Sequence, residues 1–85
     1  MPGIYSDDYR REHAALVGDP IVIGMAKGLT DVTLKDILHD DGATPRFEFM
    51  LAANREYQAR GGQLSRSIGG VAHALLDLRF GVAGR

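Results

Sequence analysis

The chain has 85 residues, of which 45% are hydrophobic and 25% are charged, and these proportions predict one globular domain rather than a disordered chain. It has no cysteine, which excludes a disulfide scaffold, a zinc–thiolate site, an iron–sulfur cluster and a cysteine nucleophile. Its net charge of −1 hides an asymmetry, because residues 1–42 carry eight acids and four bases (−4) whereas residues 43–85 carry three acids and six arginines (+3).

The first predicted element is a helix from Ser6 to Gly18. Ser6 is a small oxygen-bearing cap, and the carboxylates of Asp7 and Asp8 suit the positive end of a helix dipole. Gly18 supplies the backbone freedom that a helix end often needs. Residues 1–5 precede the cap, so we expect an N-terminal arm there.

The second predicted element follows Asp19 and Pro20 and runs toward Gly28. Proline at the first helical position costs no hydrogen bond, and the preceding aspartate satisfies a free amide. Residues 21–26 are apolar on every side, so this segment belongs in the core. The pattern favours a helix, but the branched side chains leave a buried strand open as the alternative.

A short helix is predicted next, because Leu34, Ile37 and Leu38 share one side. A polar turn through Gly42 follows this helix. Its start remains open between three alternative caps, which are Thr30, Asp31 and Thr33.

The clearest helical periodicity lies between Thr44 and Arg60. Thr44 and Pro45 form a second pair of cap and proline, and Gly61 and Gly62 end the segment. We expect this helix to be the central element of the core, since it has the broadest apolar side.

The last predicted helix covers residues 65–80. Gly69 and Gly70 each lower its helix propensity by about 1 kcal/mol relative to alanine. They indicate either a close approach of a neighbouring backbone or a helix that starts late, at Gly70. Residues 81–85 form the expected C-terminal tail. Together the elements predict an all-α fold, a small bundle of four to five short helices in one domain over residues 6–80.

Two groups of titratable residues are interpreted as structural. His39, Asp40 and Asp41 point in different directions at a helix end, so we predict no metal site. His73 and Asp77 are four residues apart on one helix face, which predicts an exposed ion pair, and the absence of a nucleophile beside them argues against a catalytic dyad. We therefore expect no enzyme activity, no metal and no cofactor.

The expected cellular location follows from signals that the sequence does not contain. A membrane-spanning helix needs about 20 apolar residues, and the chain has no stretch of that kind. The first twenty residues carry four acids and no apolar signal core. We expect a cytoplasmic protein that does not contact a membrane.

Gly42, Ala43 and Thr44 resemble the turn of the helix-turn-helix family, in which a glycine precedes an inward-packing residue and a capping serine or threonine. Leu51 fits the aliphatic position nine residues after the glycine, whereas Glu48 departs from the pattern at the sixth. The resemblance implies a small DNA-binding regulator as the alternative function. The residues that would contact nucleic acid are Arg46, Arg55, Arg60 and Arg66.

The favoured function is that of a non-catalytic interaction protein, namely an adaptor, inhibitor or assembly component that docks on a protein partner or self-associates. The aromatic residues exceed what two short helices need for packing, and aromatic and arginine side chains are enriched at interface centres. The residues predicted to bind a partner are Phe49, Tyr57, Phe80, Arg55 and Arg60. Small chains of this composition are typical of accessory proteins of phages and mobile elements, which is the class we expect.

Overall fold

The computed structural model describes residues 7–29, 33–63 and 67–81, and within these ranges it contains five helices. The helices are α1 (Asp7–Val17), α2 (Pro20–Lys27), α3 (Leu34–Ile37), α4 (Phe47–Ala59) and α5 (Gly70–Phe80). The predicted small all-α bundle is confirmed. The predicted arm over residues 1–5, the cap Ser6 and the tail beyond Gly81 lie outside the described residues.

The segment after Asp19 is a helix, and the alternative of a buried strand is wrong. Asp19 has extended backbone angles, and its Oδ1 accepts a hydrogen bond from the amide of Ile21 at 2.9 Å. Pro20 occupies the first turn, where it removes no helical hydrogen bond. Val22, fully buried, anchors the helix in the core.

The structure corrects the predicted start of α4, which begins at Phe47 and not at Pro45. Asp41 accepts hydrogen bonds from the amide and the hydroxyl of Thr44, at 2.9 and 2.7 Å. The Thr44 side chain is therefore bound to Asp41 and caps no helix. Pro45 is buried and forms an isolated antiparallel bridge with Leu38.

The central helix is α5, which corrects the prediction that α4 organises the core. α5 packs against α1, α2 and α4. It can approach three helices because several of its inward side chains are small. Its buried residues are Gly70, Val71, Ala72, Ala74, Leu75 and Leu76. By contrast, α4 buries only Ala53 and Tyr57 among its residues, which leaves much of its surface exposed.

Gly69 and Gly70 mark the start of α5, and Gly69 lies next to a side chain of α4. α5 begins at Gly70, so the late start is confirmed. A Cβ atom placed on Gly69 would lie 2.8 Å from the sulfur of Met50 on α4. The late start therefore holds, and the group that approaches Gly69 is the Met50 side chain rather than a neighbouring backbone.

Candidate functional site

The outward face of α4 is the first candidate site. Phe47, Leu51 and Arg55 are spaced by four residues, so they lie along one side of the helix, and we call them the outer stripe. Phe47 is 56% exposed, Arg55 is exposed and Leu51 is half-buried. The opposite side of α4 carries the buried Tyr57. The outer stripe is an apolar and cationic strip that the described part of the fold leaves uncovered.

The predicted partner-binding aromatics occupy different places from the expected ones. Tyr57 is only 4% exposed and belongs to the main core cluster, so its ring serves mainly to pack α4 onto the core. Phe49 and Phe80 are half-buried and pack against a second cluster formed by Ile37, Leu38 and Leu76. Among the described aromatic side chains the exposed one is Phe47, which was not among the predicted partner-binding residues.

The predicted arginines divide into two groups. Arg46 and Arg55 are exposed, as a contact surface requires. Arg60 donates from Nε to Oε2 of Glu56 at 2.6 Å, so its guanidinium is already engaged within α4. Arg66 lies outside the described residues. The cationic part of the candidate surface is therefore Arg46 and Arg55.

The connection between α3 and α4 corrects the helix-turn-helix prediction. α3 covers only Leu34–Ile37, and residues 38–46 separate it from α4. A helix-turn-helix joins its two helices by about three to four residues. Here the longer connection contains the bridge between Leu38 and Pro45, which sets the two helices apart. The residues of the turn match the motif, but their geometry does not.

A second candidate site is a groove of about 540 Å³ between α1, the start of α2 and the end of α4. We call it the acidic groove, because three carboxylates line it and come from α1 and the cap of α2. These carboxylates are Asp8, Glu12 and Asp19. Arg11 also lines the groove, and its Nη1 lies 3.9 Å from Asp8 Oδ1. The sequence held one signal of this groove that the prediction did not take up: Asp8 and Glu12 are four residues apart on α1 and therefore share a helix face.

The floor of the acidic groove is fixed by one hydrogen bond. The Tyr57 hydroxyl donates to Asp19 Oδ2 at 2.6 Å, and this bond together with burial raises the pKa of Tyr57. A Cβ atom placed on Gly62 would lie 2.5 Å from the Tyr57 ring, so the chain passes the ring where only glycine fits. Asp19 thus holds the start of α2 and the end of α4 together at the groove.

The histidines of α1 and α5 form a structural cluster. His13 Nε2 lies 3.3 Å from Asp77 Oδ2, so the predicted pairing of Asp77 with His73 is wrong. His73 instead donates from Nδ1 to the carbonyl oxygen of Gly69 at 3.0 Å, and Tyr9 meets its ring edge-on. Burial lowers the pKa of His73. The pairing crosses between helices because α1 packs directly on α5.

In the connection between α3 and α4, backbone amides bind the side chain of Asp41. Amide hydrogen bonds from Ala43 and Thr44 lower the pKa of Asp41 to about 2.

Across the described ranges, no group of three or more histidines, cysteines and acids is arranged to hold a metal ion. No helix of these ranges has the length and apolarity needed to cross a membrane.

Comparison with known proteins shows that the chain is similar in sequence to a phage protein. The Gene 80 protein of Mycobacterium phage L5 is 41% identical over 76 residues, which span 86% of this chain and 82% of that relative. Its name gives the phage and the gene number and no activity. The chain matches no protein-family model. No solved structure matches it either.

Proposed function

The chain belongs to the family of the Gene 80 protein of Mycobacterium phage L5, and from this membership we propose that it is a phage accessory protein that acts without catalysis. Its task is to dock on a protein, either a partner or a second copy, in the cytoplasm of the infected cell. The docking element is the outer stripe of α4.

The exposure of the outer stripe carries this proposal. A phenylalanine that is 56% exposed leaves apolar area in water, which is unfavourable in the isolated protein and favourable once a partner covers it. Phe47 and Arg55 combine an aromatic ring with a guanidinium, the two side-chain types that dominate interface centres. The stripe lies on a helix that is anchored by Ala53 and Tyr57, so it is presented on a rigid element.

The proposal of a non-catalytic role rests on how the described titratable side chains are used. His13 pairs with Asp77 across α1 and α5, whereas His73 donates to the Gly69 carbonyl at the start of its own helix and meets the Tyr9 ring of α1 edge-on. A general base must reach a nucleophile or a substrate proton at hydrogen-bond distance. These two histidines instead point at structural partners.

Site-specific photocrosslinking tests the docking function. A photoreactive phenylalanine analogue at position 47 replaces one exposed aromatic by another and leaves the core intact. We expect irradiation of cells that produce this protein to give a discrete adduct with a protein, because the ring lies in the proposed interface. The matched control carries the analogue at the exposed position 40, in the connection before α4. Identical adducts from positions 47 and 40 would contradict the proposal.

The exposure of Arg46 and Arg55 favours duplex DNA binding as the second candidate function. Glu48 and Glu56 are exposed on the same helix and oppose it, since they repel phosphates. We expect no electrophoretic shift of duplex DNA at low salt. A shift that weakens as salt rises, and that disappears when Arg46 and Arg55 are both changed to Ala, would establish the DNA-binding function instead.

A further inference from the structure

The acidic groove has the charge and the shape to accept a basic side chain. Its described lining carries three carboxylates and a single guanidinium, that of Arg11, and Glu12 also accepts a hydrogen bond from the amide of Ser67 at 3.2 Å. Ala15 and Ile21 add apolar area to the same wall, which suits the aliphatic stem of an arginine. A volume of about 540 Å³ falls within the range of sites that hold a ligand group in proteins.

The outer stripe offers the matching chemistry. Within the described ranges Arg55 forms no ion pair, so its guanidinium is available to a partner. Arg55 stands four residues from Leu51 and eight from Phe47, so its charge adjoins apolar side chains. An acidic groove with an apolar wall is complementary to the guanidinium and the apolar side chains of this stripe, in a contact that keeps the exposed Glu48 of the same helix outside the groove.

The two surfaces of one copy face away from each other. Tyr57 forms part of the groove, and it projects from α4 at about 160° from Arg55 when successive residues turn by 100°. Arg55 therefore cannot reach the groove of its own chain. Contact between the two surfaces requires a second molecule.

We propose that the outer stripe of one copy docks in the acidic groove of another, so that the chain assembles head to tail. This inference rests on the proposed docking function and names its partner. The two contacting surfaces differ, so each pairing leaves one stripe and one groove unfilled, and assembly continues until a ring closes. Ion pairing drives the contact, so added salt weakens the assembly.

Two single variants test the geometry, because each removes one half of the contact. Asp8→Lys reverses a charge in the groove and leaves the stripe intact, whereas Arg55→Glu reverses a charge in the stripe and leaves the groove intact. We expect light scattering at low salt to give wild-type molar masses above the 9.2 kDa monomer and to give monomers for each variant alone. An equimolar mixture of the two variants regains mass, because it contains one intact stripe and one intact groove.

Matched controls separate the contact from the overall charge. Asp40→Lys and Lys35→Glu make the same charge changes at exposed positions outside both surfaces, so these variants should assemble like the wild type. Circular dichroism checks that every variant keeps its helix content. Asp8→Asn, which loses the charge without adding one, replaces Asp8→Lys if the lysine reduces that content.

Three results would overturn head-to-tail assembly: a wild type that stays monomeric at low salt, single variants that assemble like the wild type, or a mixture that stays monomeric. The docking function has a separate outcome. A monomeric wild type that still gives an adduct with a different protein from position 47 removes self-assembly and leaves docking in place. Loss of that adduct as well removes both.

Discussion

Asp19-Pro20 and Thr44-Pro45 carry the same start signal, a small cap followed by proline, but the chain uses them differently. Asp19 caps α2 at the predicted residue, with Pro20 in the first turn. Thr44 is bound by Asp41, and Pro45 is buried in a bridge before α4 begins. The difference teaches that a cap works only where no nearby carboxylate has already taken its hydroxyl and its amide.

Replacement of Asp19, the cap of α2, should cause the largest loss of stability among these changes. Asp19→Ala removes both the bond to the Ile21 amide and the acceptor of the Tyr57 hydroxyl. We expect the free energy of unfolding to fall by about 2–3 kcal/mol, which urea denaturation measures. Tyr57→Phe removes only the second bond and should cost less, about 1–2 kcal/mol. Equal losses in the two variants would mean that the cap itself contributes nothing.

Asp41, which binds Thr44 and so keeps it from capping α4, should contribute stability that depends on pH. The pKa of Asp41 is lowered from 3.8 to about 2, so the folded chain holds this proton less tightly than the unfolded chain. The stability contributed by Asp41 is complete above pH 3.8 and is lost as the pH falls toward about 2. We expect the difference in melting temperature between wild type and Asp41→Asn to shrink over that interval. A constant difference would contradict this assignment.

Thr44 should give the smallest effect, because it caps no helix. Thr44→Ala removes an exposed hydroxyl that is bonded to Asp41. We expect a change in the free energy of unfolding of about 0.5 kcal/mol or less, the usual range for surface substitutions. Backbone chemical shifts of Phe47 and Leu51 should stay helical. Fraying of α4 from Phe47 in this variant would show that Thr44 acts as a cap after all.

Local chemistry was enough to predict most of the fold. The caps and glycines predicted α1 and α2, and the unfavourable pair Gly69 and Gly70 gave the late start of α5 as one of two interpretations. These features depend on residues within one turn of each other, which a sequence displays directly. The all-α class followed because most segments had cap or periodicity signals of a helix and the one apolar segment had no partner strand.

The features that the sequence did not reveal all depend on contacts between distant segments. The pairing of His13 with Asp77 spans 64 positions, and the bond from Tyr57 to Asp19 spans 38. The exposure of Phe47 depends on how α4 lies on α5, so the sequence pattern of α4 alone did not reveal it. The groove was hidden for the same reason, since its walls come from three helices.

The bond between Tyr57 and Asp19 also makes the groove visible to spectroscopy. The chain has no tryptophan and three tyrosines, so its near-ultraviolet absorption comes largely from phenol groups. The raised pKa of Tyr57 delays its conversion to phenolate beyond the ordinary value of 10.0 while the chain is folded. An alkaline titration followed by absorbance therefore records the opening of this junction as a late phenolate signal, without any added label.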